Sequence, residues 1–219
     1  MFARILVAQW KSARIVVTLA AVLAFVLPLG SVLYAGAIGD SAGWQVASWL
    51  SASRMVGAII PFVALGTGLV LGMVTWAPDH AGKHVYAMSL PVPRARYILL
   101  RYGAGLVLLG GPAAALLASS LIATLAVDLP RGVSAYPVQL TARFALTLAL
   151  CYALFFAISI ATRRAVLFTL GALGSMVVTD MLLGLAGTRA VVTITVLEAL
   201  TRWPGPLAIL LGRWALFDV

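Results

Sequence analysis

Acidic side chains are scarce in this sequence: Asp40, Asp79, Asp128, Asp180, Glu198 and Asp218 are the only six among 219 residues. Chemistry that needs paired carboxylates, or a hard metal ion held by several of them, therefore lacks its ligands. Cysteine is scarcer still. Cys151 stands alone in an apolar run, so no intrachain disulfide forms and it reads as core filler. No phosphate-cradling G-x-x-x-x-G-K-[ST] loop, H-E-x-x-H metal pair or G-x-S-x-G nucleophile elbow occurs. His80 and His84 are four apart with no third ligand close in sequence, and read as solvated loop histidines. The expectation is a chain with no catalytic residue, no metal and no cofactor of its own.

Charged residues make up only 10% of the chain and hydrophobic ones 63%, with a mean hydropathy of +1.09, far from a soluble domain. A helical span needs about 20 apolar residues to cross a hydrocarbon core of about 30 Å, so the length allows five or six spans and no sizeable soluble domain. Residues 1–219 are expected to form a single transmembrane domain. The net charge of +9 comes from basic residues set singly at the edges of apolar blocks. Anchoring to membrane-lipid headgroups explains that placement better than nucleic acid does, and no nucleic-acid partner is expected. Residues 1–35 mimic a signal peptide, with Arg4, Lys11 and Arg14 ahead of an apolar stretch and Ala35 as a conceivable cleavage point. The apolar run exceeds a signal core of about 7–15 residues, so it is expected to stay.

In chain order, residues 1–14 alternate Phe2, Ile5, Leu6 and Trp10 with Arg4, Gln9, Lys11 and Arg14, predicting an interfacial helix on the inner leaflet. A first span follows over 15–38, with Pro28 and Gly30 expected to kink it. An external loop over 39–54 carries Trp44 and Trp49 at belt positions. The second span, 55–76, holds Gly68 and Gly72, a small-xxx-small pair that predicts close helix packing, within one subunit or between two. The third span covers 102–127, with Pro112 bending it. Residues 128–143 are read as an external turn region, 144–161 as a fourth span and 165–187 as a fifth, entered by a basic turn at Arg163 and Arg164. The final part has two readings. Either 190–201 forms a re-entrant outer hairpin and a short sixth span returns inside, which is favoured, or the chain has five spans and ends outside. The distribution of basic residues predicts a cytoplasmic N-terminus.

Residues 77–101 form the longest polar interruption. Within it, 79–90 suits a short amphipathic helix with Val85, Met88 and Leu90 on one face and His80, Lys83 and His84 on the other. Pro91 and Pro93 end it in a rigid, extended elbow, and Arg94, Arg96 and Arg101 mark the cytoplasmic boundary. Asp180 is the one acid well inside an apolar run, where an ionisable group costs on the order of 2.5–3.5 kcal/mol on insertion scales. It has either a structural role or a part in a polar pathway or gate. Glu198 and Arg202, four apart, are candidates for the same pathway and can neutralise one another on a helix.

Two stretches resemble the ABC-2 type permeases, the membrane subunits of ABC exporters. Ala8-Gln9-Trp10-Lys11 is similar to their A-E-W-x-K segment before the first span, with glutamine in place of the acid. Asp79, Gly82 and Leu90-Pro91-Val92-Pro93-Arg94-Ala95-Arg96-Tyr97 are similar to the stretch between their second and third spans. The resemblance implies that this stretch includes a coupling helix docking on an ATPase subunit, so Asp79, Gly82, Val85, Met88, Pro91, Pro93, Arg94 and Arg96 become candidate coupling residues. It further implies that ATP is bound by that partner and that a re-entrant segment precedes the last span. The expectation is a multi-pass permease of the inner (cytoplasmic) membrane, paired with a second permease subunit in a homo- or heterodimer, exporting a hydrophobic or amphipathic substrate. A non-transporting membrane scaffold or assembly subunit is the alternative.

Overall fold

An apolar run in lipid must satisfy its own backbone hydrogen bonds, and a helix does so within one segment. The computed structural model describes residues 1–38, 42–81, 93–127, 129, 132–161, 163–185, 195 and 214–218, and these are almost entirely helical. The helices are α1 (Phe2–Ile38), α2 (Ala42–Ala81), α3 (Arg94–Leu125), α4 (Pro137–Ala161) and α5 (Arg163–Leu185). Two short strands, β1 (Ser134–Ala135) and β2 (Phe217–Asp218), pair antiparallel. Helices α1 to α4 are long and apolar enough to cross a membrane, which makes the chain a multi-pass membrane protein by length and composition.

Helix α1 buries Ala13, Val17, Ala20 and Ala24 at spacings of three and four, and packs this stripe against α2 and α3. Its other face exposes Ile15, Leu19, Val22 and Val26, apolar groups suited to lipid. Helix α2 packs on α4, where Gly68 and Gly72 remove the side chains that would hold the two apart. A Cβ on Gly68 would lie 2.7 Å from that of Cys151, and one on Gly72 would lie 2.9 Å from the amide of Phe156. Among the two readings of this glycine pair, the contact seen is within one chain. Leu71, Leu116, Leu148 and Tyr152 fill the interior with no exposed surface.

Several expected boundaries move. Residues 1–14 do not form a separate interfacial helix but continue into the first span as α1, because Gln9 and Ala13 are buried against the bundle. Most of the loop expected over 39–54 is the opening of α2, which is 40 residues long, about 60 Å, and so extends well beyond a hydrocarbon core. Ser48 ties that extension to α1 by donating to the Ala35 carbonyl at 3.2 Å. Pro137 starts α4 ahead of the predicted fourth span, at a position where its missing N–H costs nothing.

The end of the chain differs most. Residues 214–218, expected to finish a sixth span, include strand β2, with Phe217 opposite Ala135 and Asp218 opposite Ser134. Tyr136 donates to the Leu216 carbonyl at 2.9 Å, and Ser53 Oγ accepts the amides of Leu216 at 2.8 Å and Phe217 at 3.0 Å. Gly57 makes room, since a Cβ there would strike the Trp214 carbonyl. Gly132, at φ 96°, supplies the left-handed turn before β1. These contacts hold residues 214–218 at the end of the bundle where α2 and α4 begin, opposite the 82–92 connection. The hairpin expected at 190–201 lies outside the described residues, apart from Thr195.

Candidate functional site

At the other end of the bundle, the close of α2 meets the start of α3. Asp79 sits in the last turn of α2 and Arg101 in the second turn of α3, and the two form a buried ion pair. A buried pair has to replace the water it loses, because desolvation costs several kcal/mol per ion. Here the replacement is extensive. Arg101 Nη1 donates to Asp79 Oδ2 and to Tyr97 Oη, while Nη2 donates to the Thr75 carbonyl. Tyr97, one helical turn before Arg101, donates to Asp79 Oδ2 at 3.2 Å. The guanidinium carbon also lies 4.9 Å from the Trp76 ring centre, a cation–π contact.

Thr75 carries the network further. Its hydroxyl donates to the Leu71 carbonyl at 2.7 Å and accepts from Gln9 Nε2 of α1 at 2.8 Å. Gln9 Nε2 also lies 3.5 Å from Tyr152 Oη of α4. Tyr152 stacks on Tyr102 at 5.4 Å, and Phe156 packs against Trp76, Tyr102 and Tyr152. Gly105 permits this, since a Cβ there would fall on the Tyr152 ring. His80 adds a link to α4 through the Ser159 carbonyl at 2.8 Å. One polar cluster thus joins α1, α2, α3 and α4 at the base of the 82–92 connection.

Among the described residues no group of histidine, cysteine and acidic side chains is placed to hold a metal ion. The cluster's contacts tie the two helix ends that flank residues 82–92 to one another and, through Thr75 and Gln9, to α1 and α4.

Of the candidate coupling residues, Asp79 belongs to this cluster. It does not begin a separate helix, because α2 continues through Ala81 and buries it. Arg101, expected to mark the headgroup boundary, points into the bundle instead. Pro93 caps α3, and Arg94 and Arg96 are exposed in its first turn. Gly82, Val85, Met88 and Pro91 lie outside the described residues, as do Glu198 and Arg202. Asp180 sits far from the cluster in sequence and is half-buried in α5, a helix whose neighbours Val177, Val178, Met181 and Leu182 are exposed. Gln9, Thr75, Tyr97, Arg101 and Tyr152 were missed as a constellation. The available signals were the Tyr97–Arg101 spacing of four and an acid and a base facing each other across a short polar connection.

Comparison with protein-family models, with curated proteins and with solved structures gives no match to this chain.

Proposed function

We propose that this chain is the membrane-spanning permease subunit of an ATP-driven exporter of the ABC-2 type, working with a separate ATPase subunit that binds the nucleotide. The observation that carries the reading is the Asp79–Arg101 cluster. A connection that receives force from a motor needs its two helix ends tied to each other and to the rest of the bundle, or the displacement dissipates locally. Asp79, Arg101 and Thr75 supply that tie across 82–92, and Gln9, Tyr152 and His80 extend it to α1 and α4.

In this reading the N-terminus and the 82–92 connection face the cytoplasm, the chain lies in the inner membrane, and two permease subunits associate. Gly82, Val85, Met88, Pro91, Pro93, Arg94 and Arg96 contact or brace the ATPase. The position of residues 214–218 favours the five-span arrangement ending on the outer side over six spans, with 190–201 retained as a re-entrant segment. Asp180, Glu198 and Arg202 are assigned to a pathway or gate. An apolar groove of about 840 Å³ between α1 and α2, bordered by Val26, Leu27, Tyr34, Met55 and Ile59, is in keeping with a hydrophobic or amphipathic cargo.

The test is affinity purification of the tagged chain from its native membrane in mild detergent. An ATPase bearing a Walker motif is expected to co-purify. A stable chain that retains no nucleotide-binding partner would overturn the proposal.

A further inference from the structure

Gln9 is only 5% exposed, and its amide is half used. Thr75 gives its single hydroxyl proton to the Leu71 carbonyl, so the group facing that hydroxyl from α1 must be a donor. This fixes Gln9 with Nε2 toward Thr75 and leaves Oε1 as a buried acceptor with no hydrogen-bond partner among the described residues. A buried acceptor left unpaired is costly, and its persistence calls for a reason. The neighbouring arginine supplies one. Arg101 has five N–H donors, and the hydrogen bonds to Asp79, Tyr97 and Thr75 take three of them, which leaves two for which no partner is seen among the described residues. Arg101 and Gln9 converge on the same residue, one on the carbonyl of Thr75 and the other on its hydroxyl. A spare donor and a spare acceptor therefore stand on either side of Thr75.

We infer that Gln9 is a second acceptor for the Arg101 guanidinium, a positioning residue on α1 that takes over the charge when the last turn of α2 draws away from α3. With Asp79 in place, Arg101 is held mainly by α2. When Asp79 withdraws, the guanidinium turns about its Thr75 and Tyr97 contacts, and its free N–H reaches Gln9 Oε1. Moving a buried arginine away from its only counter-ion among the described residues would otherwise leave an uncompensated charge, which is strongly unfavourable. A neutral amide softens this without trapping the arginine, so both arrangements stay accessible. The exchange links the α2–α3 connection to α1 through one side chain. Its use in coupling rests on the permease reading; the exchange itself does not.

The experiment measures thermal unfolding of the full chain in detergent micelles and involves neither an ATPase nor transport, so its failure is distinct from failure of the permease reading. Asp79→Asn and Gln9→Met are made singly and together. If Gln9 shares Arg101, the combined loss in melting temperature exceeds the sum of the single losses, because Gln9→Met removes the acceptor to which Arg101 turns. In a second arm, Gln9→Glu in the Asp79→Asn background places a carboxylate on α1. Recovery of most of the loss is expected, as residues that merely fill space would not respond to charge. Additive losses in the first arm, or no recovery in the second, overturn the inference. Should Asp79→Asn alone fail to fold, the second arm decides by yield: folded protein with Gln9→Glu supports the inference, and its absence refutes it.

Discussion

A single arginine ties the end of α2 to the start of α3. Arg101 is buried beside Asp79, Tyr97, Thr75 and Trp76, and its value to the fold depends on all of them remaining. Replacing Arg101 by Met leaves Asp79 buried without a cation, which costs roughly 3–5 kcal/mol by comparison with other broken buried pairs. Removing both charges in Asp79→Leu with Arg101→Met avoids the orphaned ion. Thermal unfolding in detergent is expected to rank the double variant well above Arg101→Met. A double variant as unstable as the single one would mean that the polar frame around the pair, and not the charge, holds the helix ends. If the cluster serves coupling, the stable double variant still folds and binds its ATPase but transports poorly, which separates the stability of this site from its use.

At the level of elements, the apolar runs announced where helices lie but not where they stop. Hydropathy measures depth in lipid. It therefore located the cores of α1 to α4 well, yet it read the opening of α2 as loop, because Trp49, Ser51 and Arg54 suit an interface equally well on a helix or off one. Gly68 and Gly72 were legible as packing residues since small size has one main use inside a membrane helix. The Asp79–Arg101 pair was not legible: the partners are 22 residues apart, and they meet only because the close of α2 comes up against the start of α3. The elbow that the sequence predicts at Pro91 and Pro93 yields a prediction at this scale. Few free torsions remain between two prolines, so the elbow should pass on displacement that a flexible linker would absorb. On the permease reading, Val85→Asp with Met88→Asp should detach the ATPase by placing charge in the proposed docking contact. Pro91→Gly with Pro93→Gly should leave it bound but hydrolysing ATP with transport reduced. Co-purification and ATPase rates distinguish the two, and a fully bound, fully coupled aspartate variant would place the docking surface elsewhere.

For the whole molecule, the β1–β2 pair and the Ser53 contacts set residues 214–218 at the end opposite the α2–α3 connection. Cysteines introduced at Lys83 and at Asp218 should therefore react with a membrane-impermeant maleimide from opposite sides of sealed vesicles; labelling from one side would return the six-span arrangement. The packing among α2, α3 and α4 bears on where a substrate can pass. Leu71, Leu116, Leu148 and Tyr152 have no exposed surface, and a close-packed interior transmits force without offering a path. A route through the centre of one chain would require these side chains to part and the Asp79–Arg101 cluster to break with them. A route along the surface between two chains requires neither. We therefore predict that the transporting unit contains two permease chains, with the pathway at their interface and each polar cluster intact beside it. Native mass spectrometry of the ATPase-bound complex in nanodiscs should report two copies of this chain, or one copy with a sister permease. A complex that carries a single permease chain and still transports would place the pathway within the bundle and remove the reason for a dimer.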